Sequence, residues 1–274
     1  MILYPPAKIN LGLRVVNRRE DGFHNIETVF YPTGLTDILE FLPDKTGALK
    51  EDRLSITGLP VPGLVDENLL IKACRMLRER VELPYLMIHL HKRIPMGAGL
   101  GGGSSDAAFL LTGFNQLSEY HLPDDELEGI ALKLGSDCPF FLHPRASYGQ
   151  GRGEVLEAVH VDLAGYYLYL LNPGIHVSTG EAYAAVDHSG SAGDWVRVLQ
   201  ESPDKWRDEI VNAFEKSVFK TYPEIEAIKS GLYEAGAVFA SMSGSGSSVF
   251  GIFKKGGNLP DHLQEICIWQ EFIR

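Results

Sequence analysis

The segment from Ala7 to Val16 alternates in polarity. Ile9, Leu11, Leu13 and Val15 fall on one side, and Lys8, Asn10, Gly12 and Arg14 on the other. A two-residue period predicts a half-buried strand with one polar face. Asp21-Gly22 marks a turn, and Ile26, Thr28 and Phe30 suit a further strand. The period then lengthens. In ENLLIKACRMLRERV, Leu70, Ala73, Cys74 and Leu77 line one helical stripe. Leu86, Ile88, Leu90 and Ile94 return to alternation, and Ala107, Leu110, Leu111, Phe114 and Leu117 predict a helical face. DDELEGIALKLG predicts a short helix with a solvated acidic start, stopped by Gly135 in the usual C-cap role.

Near residue 150, YGQGRGE reads as a boundary between a domain over 1–150 and a second over 151–274. YYLYLLNPG predicts a buried strand and a turn. YPEIEAIKSGLYEAGA predicts a helix with Pro223 near its start and Gly236 past its end. AVFASM and SVFGIF predict two strands joined by a Ser-Gly-rich connection, while helix and strand readings compete for HVSTGEAY. Strands and helices mix without a regular βαβ alternation, so the class is α+β.

The 274 residues are 45% apolar and 22% charged, which suits an ordinary soluble globular protein. The net charge of −11 argues against a general role on nucleic acid or an anionic membrane. An anionic substrate would need a local positive site, such as clustered backbone N–H groups. Cys74, Cys138 and Cys267 are widely spaced and cannot all pair, which points to a reducing, cytoplasmic compartment. No apolar run reaches the roughly 18 residues of a membrane span, and MILYPPAKINLGLRVV reads as mature protein rather than a targeting segment.

One stretch stands apart: PMGAGLGGGSSDAA, residues 95–108. Five of the seven residues from Gly97 to Gly103 are glycine. Ordering each costs roughly 0.5–1 kcal/mol relative to alanine, so the run implies a use beyond capping a helix. Bare N–H groups at a helix start suit phosphate. The P-loop pattern fails because Gly103 stands where lysine is required. Gly97, Gly99 and Gly102 fit GxGxxG, but no second strand ending in an acid follows. The lysine and acidic motifs of protein kinases are also lacking.

From Pro95 to Ser105 the run resembles the phosphate loop of the GHMP kinases, the family of galactokinase, homoserine kinase and mevalonate kinase. PAKINLGL (Pro6 to Leu13) is similar to that family's first motif and SMSGSGSSVFGIF (Ser241 to Phe253) to its third. PAKINL, DGFHNIET and GSDCPFFL are similar, within the family, to the branch acting on a cytidine-diphosphate-linked alcohol in non-mevalonate isoprenoid synthesis. The resemblance implies a ribosomal protein S5 domain 2-like N-terminal domain, a ferredoxin-like C-terminal domain, and ATP and alcohol meeting in the cleft between them. It implies ATP as co-substrate, with Mg²⁺ carried on it, and a cytidine-diphosphate-linked alcohol as the other small-molecule partner. Pro95, Met96, Gly97, Ala98, Gly99, Leu100, Gly101, Gly102, Gly103, Ser104 and Ser105 would bind ATP, with Ser105 the hydroxyl nearest the metal. No protein-held metal site is expected.

The same resemblance makes Lys8 and Asp137 the catalytic pair. Asp137 would accept the hydroxyl proton and Lys8 would steady the alkoxide charge. Read alone, Lys8 would be a solvated strand lysine and Asp137 a structural cap. Asn10, Phe23, His24, Thr179 and Tyr183 would hold the substrate, Phe23 by stacking and His24 by hydrogen bonding, against core packing as the ordinary fate of a phenylalanine. The family often has tyrosine where Phe23 stands, and an acid where Ala213 stands, so NAFE (Asn212 to Glu215) is given no catalytic role. His89 and His91 share a strand face without a third ligand and read as sheet surface. Cys138 reads as a small buried thiol. The rivals are a GHMP kinase for homoserine, mevalonate or a sugar, and a nucleotide-binding regulator without chemistry; the presence of both Lys8 and Asp137 argues against the second.

Overall fold

From Pro6 to Val15 every residue of the first long strand is buried, so its polar side is as dry as its apolar side. The half-buried strand expected from the alternation is therefore corrected. Polar side chains can be buried when they satisfy one another, and here they do. The structure is a computed structural model describing residues 1–117, 121–186 and 195–274. Two compact units make up the chain: Met1–Ala7, Thr33–Met96 and Gly101–Pro144 form the first, and Lys8–Pro32, Gly97–Leu100 and Arg145–Arg274 the second.

In the first unit a four-stranded sheet has the order β1 (Ile2–Leu3), β4 (Ile38–Pro43), β6 (Leu86–Lys92), β5 (Arg53–Gly58). β4 runs antiparallel to β6 and β5 parallel to it. A parallel pair needs a crossover, which α1 (Leu69–Arg78) supplies. Leu39 and Phe41 of β4 and Leu86, Ile88 and Leu90 of β6 make the buried side of the sheet. α2 (Gly102–Leu117) and α3 (Asp124–Leu134) pack with α1, and α4 (Cys138–Leu142) packs on α2 and α3. The expected apolar stripes of α1 and α2 are buried, except that Leu117 is 48% exposed at the last position of α2. Gly113 lets α2 lie close to the sheet, since a Cβ there would sit 2.5 Å from Leu3. Gly135 does follow α3, but its φ of 172° is extended, not the left-handed cap expected.

The second unit holds most of a sheet ordered β2 (Pro6–Arg18), β3 (His24–Thr36), β7 (Ser147–Gln150), β8 (Val155–Ala158). Gly151 and Gly153 of YGQGRGE lie in the turn of the β7–β8 hairpin, and Gly149 lies in β7. A third, fully antiparallel sheet is ordered β10 (Phe239–Met242), β11 (Val249–Phe253), β9 (Tyr167–Leu171), β12 (Cys267–Phe272). Between β9 and β10 run α5 (Thr179–Ala185), α6 (Trp195–Leu199), α7 (Glu215–Thr221) and α8 (Pro223–Glu234), and α9 (Asp261–Gln264) links β11 to β12. This β-α-β-β-α-β order is ferredoxin-like. α8 packs on β10 and β11, burying Ile225, Ile228 and Leu232. Gly236, at φ +99°, turns the chain after α8, where Ala237 N–H bonds the Leu232 carbonyl at 2.9 Å.

Candidate active site

Lys8 is only 4% exposed, which removes the solvated-lysine alternative. Its Nζ donates to Asn10 Oδ1 at 2.7 Å and lies 5.3 Å from the centre of the Phe30 ring. Asn10 Nδ2 donates to Thr28 Oγ1 at 2.8 Å, and that hydroxyl donates to the Gly12 carbonyl at 2.6 Å. Ser243, from the turn after β10, donates to the Gly99 carbonyl at 2.9 Å and accepts the Asn10 N–H at 3.3 Å. The first strand, the glycine run and the Ser-Gly turn are thus tied around one buried serine.

The Gly97–Leu100 part of the run is seated by backbone bonds. Lys8 N–H donates to Leu100 O at 3.0 Å and Ser248 N–H to Ala98 O at 3.2 Å. Gly97, Gly99 and Gly101 all take positive φ. At Gly99 a Cβ would come 2.0 Å from the Ser243 carbonyl, so only glycine fits. The chain then enters α2, where Ser105 N–H bonds Gly101 O at 2.9 Å. Ser105 is fully buried and its Oγ has no hydrogen-bond partner. A buried hydroxyl without a partner is costly, and here it sits in the first turn of a helix, where anions are favoured.

Asp137 precedes α4 with helical dihedrals, and its side chain makes no capping bond to that helix. The structural-cap alternative therefore falls. The Ser104 hydroxyl interacts with the neighbouring Cys138 thiol, so the first turn of α2 and the Asp137 segment lie side by side within the first unit. Burial pushes Cys138 up to about 11, in keeping with an inert thiol. Below this turn Lys92, fully buried, donates to both Asp37 and Asp106, the latter at 2.8 Å. Desolvation pushes Asp106 up to about 7 against the pull of Lys92, and its Oδ1 has no hydrogen-bond partner. Beside the same turn a cavity of about 320 Å³ is lined by Leu64, Leu69, Met96 and Gly103, with Glu67, Asn68, Lys72 and Asp106 as polar groups.

The substrate candidates divide. His24 stacks on Tyr183 at 4.7 Å and 18°, and Tyr183 meets the buried Phe214 edge-on. In HVSTGEAY the helix α5 starts at Thr179, capped by Ser178, and Thr179 Oγ1 lies 3.2 Å from Ser245 Oγ. Phe23 is 48% exposed, so it is no core residue; the Arg152 guanidinium lies 3.9 Å from its ring centre. His89 and His91 both approach Thr57 Oγ1 at 3.0 Å on the sheet surface.

Several residues escaped sequence reasoning. Thr28, Ser243 and Lys92 act through partners 14 or more positions away, which no local pattern shows. Asn212 is buried and donates to Met242 O at 2.7 Å and Gly244 O at 2.8 Å, bracing the Ser-Gly turn. The apolar run Val61 to Val65, out of place in a loop, was the one legible hint of the cavity.

Two family models match, the N-terminal domain of GHMP kinases over residues 68–145 and the C-terminal domain of GHMP kinases over residues 184–267. The chain belongs to the GHMP kinases. It is 45% identical to the 4-diphosphocytidyl-2-C-methyl-D-erythritol kinase of Parabacteroides distasonis, over 99% of this chain and 97% of the relative. The enzyme of the same name from Porphyromonas gingivalis is 42% identical over the whole of both chains. A crystal structure of 4-(cytidine 5'-diphospho)-2C-methyl-D-erythritol kinase superposes with a TM-score of 0.79 at 33% identity, covering 97% of this chain and 93% of that one. Its kin within the family are thus the 4-diphosphocytidyl-2-C-methyl-D-erythritol kinases. A Streptococcus pneumoniae phosphomevalonate kinase, at 10% identity and a TM-score of 0.67, shares the fold.

Proposed function

We propose that this chain transfers the γ-phosphoryl group of ATP to the 2-hydroxyl of 4-diphosphocytidyl-2-C-methyl-D-erythritol, in the non-mevalonate route to isoprenoid precursors. The observation that carries the reading is the start of α2. A glycine run opens a 16-residue helix whose first turn holds a buried hydroxyl without a partner. Helix N-termini and bare N–H groups attract phosphate, and a waiting hydroxyl adds a specific contact.

Pro95 to Ser105 cradle the triphosphate, and the cavity beside Gly103 takes the adenosine. Mg²⁺ arrives on ATP. One neutral protein oxygen, Ser105 Oγ, suits an ion held mainly by phosphate and water, and the metal supplies charge neutralisation on the phosphates. Asp137 takes the proton of the acceptor hydroxyl as its oxygen bonds to phosphorus, and ADP departs with the electron pair of the broken bond. Lys8, oriented by Asn10, balances the charge on the acceptor oxygen. Phe23, His24, Thr179 and Tyr183 receive the cytidine part. The matched family segments, 68–145 and 184–267, fall on either side of residue 150, which supports domains over 1–150 and 151–274.

No helix among the described residues is long and apolar enough to cross a membrane. Buried, unpaired Cys74 and Cys138 support a reducing cytoplasm. Coupled ADP release with the cytidine-bearing alcohol tests the whole. The parent should turn over, and Asp137→Ala should lose roughly 10²–10⁴ in kcat, the usual worth of a positioned base. Retained turnover by the variant removes the base, and turnover of homoserine or mevalonate in place of the cytidine compound removes the substrate.

A further inference from the structure

Two turns of the second unit lie side by side. One carries Arg19 to Phe23, between β2 and β3; the other carries Gly151 to Glu154, in the β7–β8 hairpin. Ile26 N–H bonds Gly151 O at 2.7 Å and joins them. The backbone of Phe23 is held on both sides, its N–H by Asp21 Oδ1 at 3.1 Å and its carbonyl by Arg19 N–H at 2.8 Å. Asp21 is itself fixed by the Arg19 guanidinium at 3.0 Å. The Phe23 ring, by contrast, is half exposed. Among the described residues the Arg152 guanidinium is the one group stacked on it, at 3.9 Å.

A phenylalanine left half in water has no packing reason to keep one orientation. A planar cation on one face supplies one, because guanidinium stacks on aromatic rings as well as attracting their electrons. The opposite face is then presented as a fixed platform for a second flat group. Phenylalanine has no hydroxyl to anchor its own ring, so the anchor must come from outside. His24, the next residue, stacks on Tyr183, which places a second aromatic pair beside this platform.

We propose that Arg152 is a positioning residue for the acceptor substrate: it holds the Phe23 ring at the angle at which the ring stacks a pyrimidine base. The inference rests on the cytidine reading of this site. Arg152 acts through Phe23, so its worth should vanish when the ring is absent.

The test is a double-mutant cycle in steady-state ADP release, with Arg152→Ala, Phe23→Ala and the pair, using the cytidine-bearing alcohol and ATP. Arg152→Ala should raise KM for the alcohol about two- to fivefold, in line with an exposed cation–π contact, and leave KM for ATP unchanged. In the Phe23→Ala background the same change should cost nothing further. Arg152→Lys should behave like alanine, since it keeps the charge and loses the planar stack. An unchanged KM in Arg152→Ala, with only a lowered melting temperature, makes the stack purely structural and overturns the proposal. An equal penalty with and without Phe23, or full rescue by lysine, makes Arg152 a direct charge contact and overturns it too. Turnover by the parent keeps the cytidine reading whatever the variants do; a parent that ignores the compound ends that reading and this inference together.

Discussion

Thr28 decides which way round the Asn10 amide lies. Its hydroxyl spends its one proton on the Gly12 carbonyl at 2.6 Å, so towards Asn10 it can only accept. Asn10 must therefore present Nδ2 to Thr28, at 2.8 Å, and Oδ1 to Lys8, at 2.7 Å. The ammonium group is aimed by a hydroxyl two residues removed from it in the bonding chain.

Thr28→Val keeps the shape and removes this relay. The Gly12 carbonyl and the Asn10 amide lose their partner, and Lys8 loses its guide. Turnover should fall roughly ten- to a hundredfold, the range expected for a misplaced catalytic group, with KM for ATP little changed. Thr28→Ser retains the hydroxyl and should stay near the parent. Equal rates for the valine and serine variants in coupled ADP release would contradict the relay.

The glycines of the run are not equivalent. Gly99 has φ +79° and no room, its missing Cβ falling 2.0 Å from the Ser243 carbonyl. Gly103 lies in α2, and the nearest atom to its missing Cβ is Met96 Cε at 3.6 Å, an ordinary contact. Gly103→Ala should unfold at or above the parent's midpoint, gaining up to about 1 kcal/mol from helix propensity. Gly99→Ala should lose stability by about 1–3 kcal/mol, the usual cost of a strained conformation, together with most ATP turnover. Urea midpoints of the two variants in parallel decide it; a neutral Gly99→Ala would mean that the loop can re-seat.

Much of this architecture was legible in the chain. Alternation from Ile9 to Val15 and the 3.6-residue stripes of α1 and α2 report local geometry, and local geometry follows sequence directly. Burial of the polar side of β2 was not legible, because it depends on Thr28 and Ser243, far off in sequence. Glycine, serine and aspartate composition marked the phosphate loop. The Lys92–Asp37–Asp106 cluster beneath it gave no signal, since its members look like any charged residues until the fold brings 92, 37 and 106 together. For Phe23, composition alone left core packing beside stacking as alternatives; the turn around it leaves it half exposed.

That cluster sets a pH dependence. Asp106 is pushed up to about 7 by desolvation, well above its ordinary 3.8. The folded chain then keeps a proton that the unfolded chain releases. Stability falls as pH rises from about 4 to about 7, and the contribution is flat above that. Asp106→Asn leaves an acceptor for Lys92 and removes the titration. Urea unfolding at about pH 5, 6, 7 and 8 should show the variant gaining on the parent up to about pH 7 and no further. Parallel curves across the range would show that Asp106 does not hold the proton.

Asn212 braces the third glycine-rich element. Its amide donates to Met242 O and Gly244 O, and its carbonyl accepts the Phe214 N–H at 3.0 Å. Side chain and turn are both buried, so no water replaces these bonds. Asn212→Ala should cost about 2–4 kcal/mol, as several backbone groups lose partners together. The damage should not stop at stability. Met242 and Gly244 flank Ser243, whose hydroxyl holds the Gly99 carbonyl at 2.9 Å, so a loosened turn also loosens the phosphate loop. KM for ATP should rise severalfold even at a temperature where the variant is fully folded. A variant that melts early yet binds ATP like the parent would separate the turn from the loop, and would leave Ser243 as packing rather than as their link.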